Sequence, residues 1–370
     1  MKALIIEKKY LKNNIKAIKE LANKNESEKK LEIIAVVKGN GYGLGLVEYT
    51  NFLIDNGICF FAVASLEEAI ILRKSGIKQK ILMLSSTAIK EDIELLVKNN
   101  IILTIGSKES GQVANEVAKN LNQTVEVHLK IDTGFGRYGF MYNKREEMIE
   151  CIKSFTNLKI VGTYSHYSLA FLEKNEYTNK QFKRFIDVVE VLKMNEIEPG
   201  MLHICNSSAF LKFSTQHLNG VRIGSAFLGR TIVLNQIGLR KIGYLKSNVA
   251  EIKMVEKGNN IGYSNSFKTK RDTKVAIIPC GYADGINVKV DKDMFRKVDD
   301  LRYISRDFKN LLKKQKLEVK INGENCKLLG RIGMCHIAVD ITGKEIKIND
   351  EVKISVNPIY VNSNIKRIYK

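Results

Sequence analysis

The chain has 370 residues, 44% of them hydrophobic, which is enough to bury a large core and favours two domains. A net charge of +20 and a pI of about 9.5 suggest an anionic partner, but the lysines are spread among glutamates along the predicted helices. Trp is absent and no nucleic-acid motif occurs, so we expect solvated faces and no nucleic-acid partner. With no CxxC pair, no Cys/His metal spacing and no run of about 18 apolar residues, we expect no metal, no membrane contact and a cytoplasmic protein.

Helix and strand patterns alternate through the first two thirds of the chain. A helix whose apolar face carries Leu11, Ile15 and Ile18 comes first. The predicted strands are 33–37, 59–64, 80–85, 101–105, 125–131, 160–165, 202–205 and 220–223. The predicted helices between them are 47–54, 66–74, 89–98, 107–121, 145–155 and 177–195. About eight β/α units in roughly 220 residues predict a (β/α)8 TIM-type barrel, which we place at residues 10–235. The competing architecture, an open doubly wound sheet, lacks its usual GxGxxG turn.

After about residue 240 the pattern becomes β-rich. The predicted strands are 248–255, 274–280, 317–321, 327–331, 337–341 and 351–356. Turns such as Asn322-Gly323 between them indicate a mostly antiparallel β domain at residues 236–370, on which an N-terminal strand within 1–9 would pack. The segment 286–316 is charged and weakly helical, and we expect a solvated surface excursion.

A lysine stands at the C-terminal tip of the first predicted strand. The buried pattern of 33–37 runs into Lys38, followed by Gly39-Asn40-Gly41-Tyr42-Gly43. An ammonium at the end of a core strand is costly unless it is paired or its charge is removed. Imine formation with an aldehyde cofactor, or a lowered pKa that makes the amine a base, would each explain it. A strand-end lysine that reaches solvent beside a Gly-rich turn is the alternative.

Other strand tips also carry chemically useful side chains, and active sites of such barrels lie at this end. Tip residues are Tyr42, Lys130, Asp132, Arg137, His166, Asn206, Ser207, Arg222, Gly224 and Ser225. Loops after the last two barrel strands often bind phosphate through hydroxyls and backbone N–H groups, although Ser207 alone would equally suit a helix N-cap. A phosphate site together with an imine-forming lysine predicts pyridoxal 5'-phosphate as the cofactor.

The chain resembles the alanine racemase family of fold-type III pyridoxal-phosphate enzymes over nearly its whole length. The segments that carry the resemblance, in family order, are AVVKGNGYGLG, HLKIDTGFGRYGF, TYSHYS, HICNSS, VRIGSAFLG, IGYSNSF, CGYADG, GRIGM and KRIY. The resemblance implies racemisation by two bases, with Lys38 on one face of the substrate Cα and Tyr263 of the second subunit on the other. It therefore implies a homodimer with shared active sites and a small amino acid as substrate, most simply alanine for peptidoglycan synthesis.

The resemblance also implies roles for the remaining site residues. His166 would be the partner that helps the tyrosine base, since an unperturbed phenol has a pKa near 10. Arg222 would face the pyridine nitrogen and donate to it without giving up a proton. Arg137 would lie near the substrate carboxylate, and Lys130 is a candidate for carbamylation. Tyr282 would stand at the entrance, and Met334 would offer a backbone contact to substrate.

Three departures from the family pattern concern the substrate. Cys335 replaces an entrance aspartate, no phosphate-binding tyrosine occurs in 362–367, and the loop after CGYADG is longer by roughly twenty residues. Alternatives are a serine or broad-specificity racemase, a non-catalytic pyridoxal-phosphate-binding protein, and a fold-type III decarboxylase. Tyr263 in the racemase position argues against the decarboxylase.

Overall fold

The computed structural model describes residues 2–24, 31–289, 301, 304–305 and 318–370. The chain forms two compact units. One is Lys8–Ile242, and the other is Gly243–Lys370 together with the N-terminal residues up to Glu7. Most of the predicted 286–316 excursion lies outside the described residues.

The first unit is an eight-stranded parallel barrel, as the sequence predicts. After β1 (Ala3–Ile6), which belongs to the other unit, the barrel strands are β2 (Glu32–Val36), β3 (Phe60–Val63), β4 (Lys80–Met83), β5 (Leu103–Ile105), β6 (Val125–Asp132), β8 (Leu158–Tyr164), β9 (Met201–His203) and β10 (Gly220–Ile223). Their order is β4-β3-β2-β10-β9-β8-β6-β5, and short β7 (Phe140–Met141) pairs with β6. A parallel bridge between Leu82 and Ile102 joins the two ends of this order. Every barrel strand begins and ends within two residues of its predicted bounds.

Helices follow most of the barrel strands. They are α1 (Lys8–Asn23), α2 (Lys38–Tyr42), α3 (Leu46–Asp55), α4 (Leu66–Lys74), α5 (Lys90–Lys98), α6 (Lys108–Asn120), α7 (Arg145–Lys153), α8 (Glu176–Met194) and α9 (Ser207–Lys212). Ser65 and Ser107 cap α4 and α6 by accepting a backbone N–H with their side chains. Helix α1 packs beside the segment after β10, because buried Asn14 donates to the carbonyls of Phe227 (2.9 Å) and Arg240 (2.8 Å).

The barrel interior has an apolar side and a polar side. Buried side chains of β2 to β4 and Ile102 form a hydrophobic cluster: Ile34, Val36, Phe60, Ala62, Leu82 and Ile102. Burying each large apolar side chain of this kind contributes about 1.5–3 kcal/mol. The strands β6, β8, β9 and β10 bury polar or charged groups, namely His128, Lys130, Tyr164, His203 and Arg222. Because burial of the apolar side stabilises the barrel, the polar side can carry a functional site.

The second unit is a mostly antiparallel sheet, again as predicted. Its strands are β1, β11 (Tyr244–Asn248), β12 (Glu251–Val255), β15 (Thr273–Ile278), β16 (Glu318–Ile321), β17 (Glu324–Leu329), β18 (Ile337–Asp340), β19 (Glu351–Ser355) and β20 (Lys366–Tyr369), with a separate ribbon of β13 (Asn260–Ile261) and β14 (Phe267–Lys268). Strand β1 lies between β11, to which it is antiparallel, and β20, to which it is parallel. Asn322 and Gly323 take positive φ values of 49° and 89° in the β16–β17 hairpin, which suits its two-residue turn.

One strand prediction in this unit was wrong. The segment 248–255 is not continuous, because β11 pairs with β19 whereas β12 pairs with β15. The change of partner falls at two residues: the N–H of Val249 donates to Asp350 and that of Ala250 to Ile277. The predicted strand covers all of β12 but only the last residue of β11, so the rest of β11 was missed. A β-rich pattern records burial but not the identity of the neighbouring strand. Among the described residues, no helix has the length and apolar content needed to span a membrane.

Candidate active site

A cavity of about 330 Å³ opens at the carboxyl ends of the barrel strands. Its lining includes four cationic side chains, those of Lys38, Lys130, Arg137 and Arg222, and no carboxylate of the described residues. The lining also includes aromatic and hydroxyl groups: Tyr42, Ser85, Tyr138, Tyr164, Phe171, Ser207, Ser208 and Ser225. A concave site with one sign of charge attracts ligands of the opposite sign. The cavity therefore suits a ligand, or pair of ligands, with several negative charges.

Lys38 begins a tight left-handed turn. Gly39, Asn40, Gly41 and Tyr42 all have φ between 52° and 65°, a conformation that glycine and asparagine adopt most readily. The Asn40 side chain fixes the turn by accepting from the N–H of Leu46 at 2.9 Å. Burial, followed by the nearby charge of Arg137, lowers the pKa of Lys38. More of this amine is therefore neutral at a given pH than is usual for lysine.

Arg222 is buried at the carboxyl end of β10 and bonded on both of its terminal nitrogens. Nη1 donates to Nδ1 of His203 (2.5 Å) and to its carbonyl (3.2 Å). Nη2 donates to the carbonyls of Ser165 (2.7 Å) and Ile204 (3.1 Å) and to Nδ1 of His166 (3.0 Å). Burial lowers the pKa of Arg222 to about 10, which leaves it protonated at neutral pH. Among the described residues, none accepts from the Nε–H of Arg222, and the residue lines the cavity.

His166 has a fixed hydrogen-bonding direction. A guanidinium has donors only, so Nδ1 of His166 must accept from Arg222. Burial and the charge of Arg222 hold the pKa of His166 well below its ordinary value. The neutral ring therefore carries its hydrogen on Nε2, where it can donate to an oxygen in the cavity. The exposed ring of Phe135 lies against the other side of His166, with 5.4 Å between the centroids.

Lys130 is buried on β6 and forms no ion pair with a described residue. Its Nζ lies 4.1 Å from the centroid of the Tyr164 ring, a cation–π distance. Burial, with the charges of Arg222 and Arg137, holds the pKa of Lys130 well below its ordinary value. The neutral form of such an amine is nucleophilic, and the lowered pKa increases the share of that form.

Asp132 organises the loop that carries Arg137. Its buried carboxylate accepts four backbone N–H groups, from Gly134 (2.8 Å), Phe135 (2.8 Å), Gly136 (2.9 Å) and Arg137 (3.1 Å). The Arg137 guanidinium then lies over the Phe135 ring, 4.4 Å from its centroid. Asp132 does not line the cavity. Its place at a strand tip reflects support of the loop.

The loops after β9 and β10 are tied together beside the cavity. Asn206 caps α9 by accepting from the N–H of Ala209 at 3.1 Å, and the hydroxyl of Ser207 accepts from the N–H of Gly224 at 3.1 Å. A Cβ on Gly224 would lie 2.7 Å from the Tyr42 ring, so only glycine lets that ring take its place. Burial raises the pKa of Tyr42 to about 12, which keeps its hydroxyl a donor. Hydroxyls of Tyr42, Ser207 and Ser225 thus lie along one wall of the cavity.

Tyr263, Tyr282 and Met334 belong to the other unit. Tyr263 and Met334 line a groove of about 940 Å³ in that unit together with Cys335, and Tyr263 is 71% exposed. The backbone N–H groups of Tyr282 and Ala283 donate to the carbonyls of Gly333 and Met334, both at 3.1 Å. The structure thus brings these three predicted residues together in one region of the β domain. Of the eleven candidate residues in the barrel, all except Asp132 line the cavity.

Several cavity residues were missed by the sequence interpretation. Tyr138, Tyr164, Phe171 and Ile232 line the cavity. Tyr164 could have been found, because it is the last inward residue of a predicted strand that ends beside His166. Phe171 and Ile232 lie in irregular segments, whose path no periodicity reveals. Among the described residues, no group of three His, Cys, Asp or Glu is placed to hold a metal ion.

Comparison with known proteins agrees with this architecture. Family models match twice: "Alanine racemase, N-terminal domain" over residues 6–231, and "Alanine racemase, C-terminal domain" over residues 242–366. An alanine racemase of Fusobacterium nucleatum is 33% identical over 370 residues, 98% of this chain and 93% of that protein. One of Clostridium novyi is 32% identical over 92% of this chain and 82% of that protein. The solved alanine racemase of Clostridium difficile 630 superposes with a TM-score of 0.84 at 29% identity, covering 100% of this chain and 95% of the other.

Barrel, β domain, cavity and relatives together define an amino-acid racemase, an isomerase. The two family matches cover most of the chain. The chain belongs to the alanine racemase family.

Proposed function

We propose that this protein is a pyridoxal-phosphate-dependent racemase that interconverts L- and D-alanine and supplies D-alanine for peptidoglycan. The observation that carries the proposal is the cavity itself, where an amine with a lowered pKa lies among three further basic side chains and no described carboxylate. The negative charges of a phosphorylated aldehyde and of an amino acid carboxylate would balance the positive charge of such a cavity. We further propose that the enzyme works in the cytoplasm.

The residues present fit this cofactor. Lys38 supplies the amine that would hold its aldehyde, and the hydroxyl wall of Tyr42, Ser207 and Ser225 supplies donors for its phosphate. The unpartnered Nε–H of Arg222 offers a donor for its ring nitrogen. His166, Asn206 and Gly224 complete the proposed cofactor set. When bound, pyridoxal phosphate takes up the electron pair that is left on the substrate Cα when its proton is removed.

Proton transfer would use one base on each face of Cα. The neutral form of Lys38 accepts or returns the proton on one face, which its lowered pKa favours. On the opposite face, Tyr263 of the partner subunit would act, since its exposed side chain is presented on a groove and not packed in a core. His166 offers Nε2–H toward a phenolate oxygen, which would stabilise the deprotonated tyrosine. We therefore propose a homodimer with composite sites.

The substrate carboxylate would bind to Arg137, with Tyr282 and Met334 contributed by the partner. We propose that Lys130 is carbamylated: the neutral amine attacks CO2, a C–N bond forms, and one proton leaves to solvent. The resulting carbamate would place a negative charge between Arg222 and Arg137, the two cations that lower the pKa of the free amine. A ¹³C NMR signal for a carbamate after exposure to ¹³CO2, absent in Lys130→Ala, would test this modification.

The deciding experiment is chiral chromatography after incubation with L-alanine, L-serine and L-lysine in turn. Fastest inversion of alanine supports the proposal, and release of CO2 would replace it with decarboxylation. Tyr263→Phe should retain cofactor absorbance while inversion slows by at least about a hundredfold. Tyr244→Phe, in the same unit but outside the groove, is the matched control and should behave like the wild type. Near-normal inversion by Tyr263→Phe would remove the two-base assignment.

A serine or broad-specificity racemase is the second candidate. Residues 361–365 form a loop closed by Arg367, which donates to the carbonyls of Val361, Asn362 and Ser363, and the loop contains no tyrosine. A smaller side chain at this position would leave room for a larger substrate. Faster inversion of serine than alanine would promote this candidate. Cofactor binding without inversion of any amino acid would indicate a non-catalytic binding protein.

A further inference from the structure

Two buried histidines lie beneath the cavity, and the proposed mechanism does not use them directly. His128 on β6 and His203 on β9 are at most 1% exposed, and Nδ1 of His128 lies 2.8 Å from Nε2 of His203. The ring of Tyr164 stacks on His203, with centroids 4.7 Å apart and planes 5° from parallel. Arg222 completes a continuous chain of contacts, Arg222 to His203 to His128.

The protonation pattern of this chain follows from Arg222. Because a guanidinium only donates, Nδ1 of His203 must accept. A neutral His203 then carries its hydrogen on Nε2 and donates it to Nδ1 of His128, so His128 also carries its hydrogen on Nε2. Burial and the charge of Arg222 favour neutral rings, lowering the pKa of His128 to about 3 and that of His203 well below normal.

The barrel wall is shaped around this pair. A Cβ on Gly162 of β8 would lie 2.6 Å from Nδ1 and 2.7 Å from Nε2 of His128, so the ring needs glycine opposite it. The β6–β8 register also shifts between Val127 and His128, a local irregularity in the ladder. Both features make room for an imidazole where an apolar side chain would fill a regular barrel.

We propose that His128 is a positioning residue for Arg222, acting through His203. The inference rests on the proposed function, since its consequence is the orientation of the Arg222 Nε–H toward the cofactor ring. His128 provides the acceptor that keeps the His203 hydrogen on Nε2 and therefore keeps the Nδ1 lone pair facing Arg222. Without that acceptor, His203 is free to turn or to move its hydrogen to Nδ1, where it would oppose the Nη1 donor.

Three variants separate positioning from simple packing. His128→Leu removes the acceptor while filling most of the space. His128→Asn restores an acceptor oxygen near the position of Nδ1, so it should rescue the relay. Thr104→Val is the matched control: it removes the buried hydrogen bond between Thr104 and the Tyr164 hydroxyl (2.9 Å) in the same barrel interior but no atom of the relay.

The first measurement is ¹⁵N–¹H correlation of the histidine rings in cofactor-free protein. Wild type, Thr104→Val and His128→Asn should show His203 with its hydrogen on Nε2, and His128→Leu should lose that single pattern. A hydrogen on Nδ1 of His203 in the wild type overturns the proposal without any variant, even if His128→Leu fails to fold. This result does not depend on racemase activity, so it stands or falls separately from the proposed function.

The second measurement is made on cofactor-loaded protein. His128→Leu should shift the cofactor absorbance and lower kcat by roughly tenfold to a hundredfold, with a smaller change in KM. His128→Asn should recover most of both. If His128→Leu and His128→Asn match Thr104→Val in absorbance and kcat, His128 is core packing and the positioning role is wrong.

Discussion

Replacing Asp132 by asparagine tests how the loop that carries Arg137 is held. The carboxylate accepts two N–H groups on Oδ1 and two on Oδ2. An asparagine keeps the two bonds to Oδ1, but its NH2 group would face the N–H groups of Gly136 and Arg137, donor against donor. The substitution therefore removes two hydrogen bonds to a charged acceptor and creates a local clash of donors.

The cost can be worked out from those two bonds. Hydrogen bonds to charged groups stabilise a protein by about 1.5–3 kcal/mol each. Because this end of the loop is exposed, water can replace part of the lost hydrogen bonding. We expect Asp132→Asn to lower the free energy of unfolding by about 2–3 kcal/mol, and Asp132→Ala by more, because it frees all four N–H groups. The freed loop no longer fixes Arg137, so KM for alanine should rise.

The assay is urea unfolding of cofactor-free protein, combined with steady-state kinetics of the loaded enzyme. Glu126→Gln is the control, because Glu126 lies on the same strand, is exposed and only approaches Lys159 at 4.0 Å. Its unfolding free energy should change by less than about 0.5 kcal/mol. If Asp132→Asn is as stable as Glu126→Gln, the four N–H bonds do not hold the loop and the reasoning is refuted.

Three further predictions concern other parts of the barrel. The Arg73 guanidinium donates to the carbonyls of Ile77, Gln79, Asn99 and Asn100. Because a lysine cannot make all of these bonds, Arg73→Lys should lower the free energy of unfolding, measured in urea, by about 1–2 kcal/mol. Unchanged stability would contradict this prediction. Gly162→Ala should lower the free energy of unfolding by about 1–3 kcal/mol in the same assay, because the added Cβ would overlap the His128 ring. A variant as stable as the wild type would show that the ring can move aside. In cofactor-free protein, an amine-reactive reagent at pH about 8 should label Lys38 faster than exposed Lys16, because the lowered pKa of Lys38 leaves more neutral amine. The ratio of the two labelling rates falls towards one as pH rises through the folded-state pKa of Lys38, because an ordinary lysine also loses its proton at higher pH, and equal rates at pH about 8, read by mass spectrometry, would refute the prediction.

The barrel was predictable because each of its strands is short, strongly apolar and bounded by a helix or a turn. Once the strands are placed, the rule that parallel strands end at one edge brings Lys38, His166 and Arg222 together without any knowledge of contacts. The cavity confirms that grouping. The chemical roles of Lys38, His166 and Arg222 remain proposals.

The histidine relay was less accessible to sequence reasoning. The period-2 pattern of β6 does place His128, Lys130 and Asp132 on one face, which is a usable signal. The contact of His128 with His203 depends on barrel closure and on a register shift, and neither feature is encoded in a local pattern. The partner switch at Val249 and Ala250 escaped detection for the same reason.

The position of β1 between β11 and β20 has a consequence for biosynthesis. One neighbour of β1 is β20, and the whole barrel lies between these two strands in the sequence. The residues of the barrel emerge before that neighbour exists, so the parallel barrel can form during translation. The nine-stranded sheet is completed only after β20 has been synthesised, and until then the edge of β1 is open to aggregation.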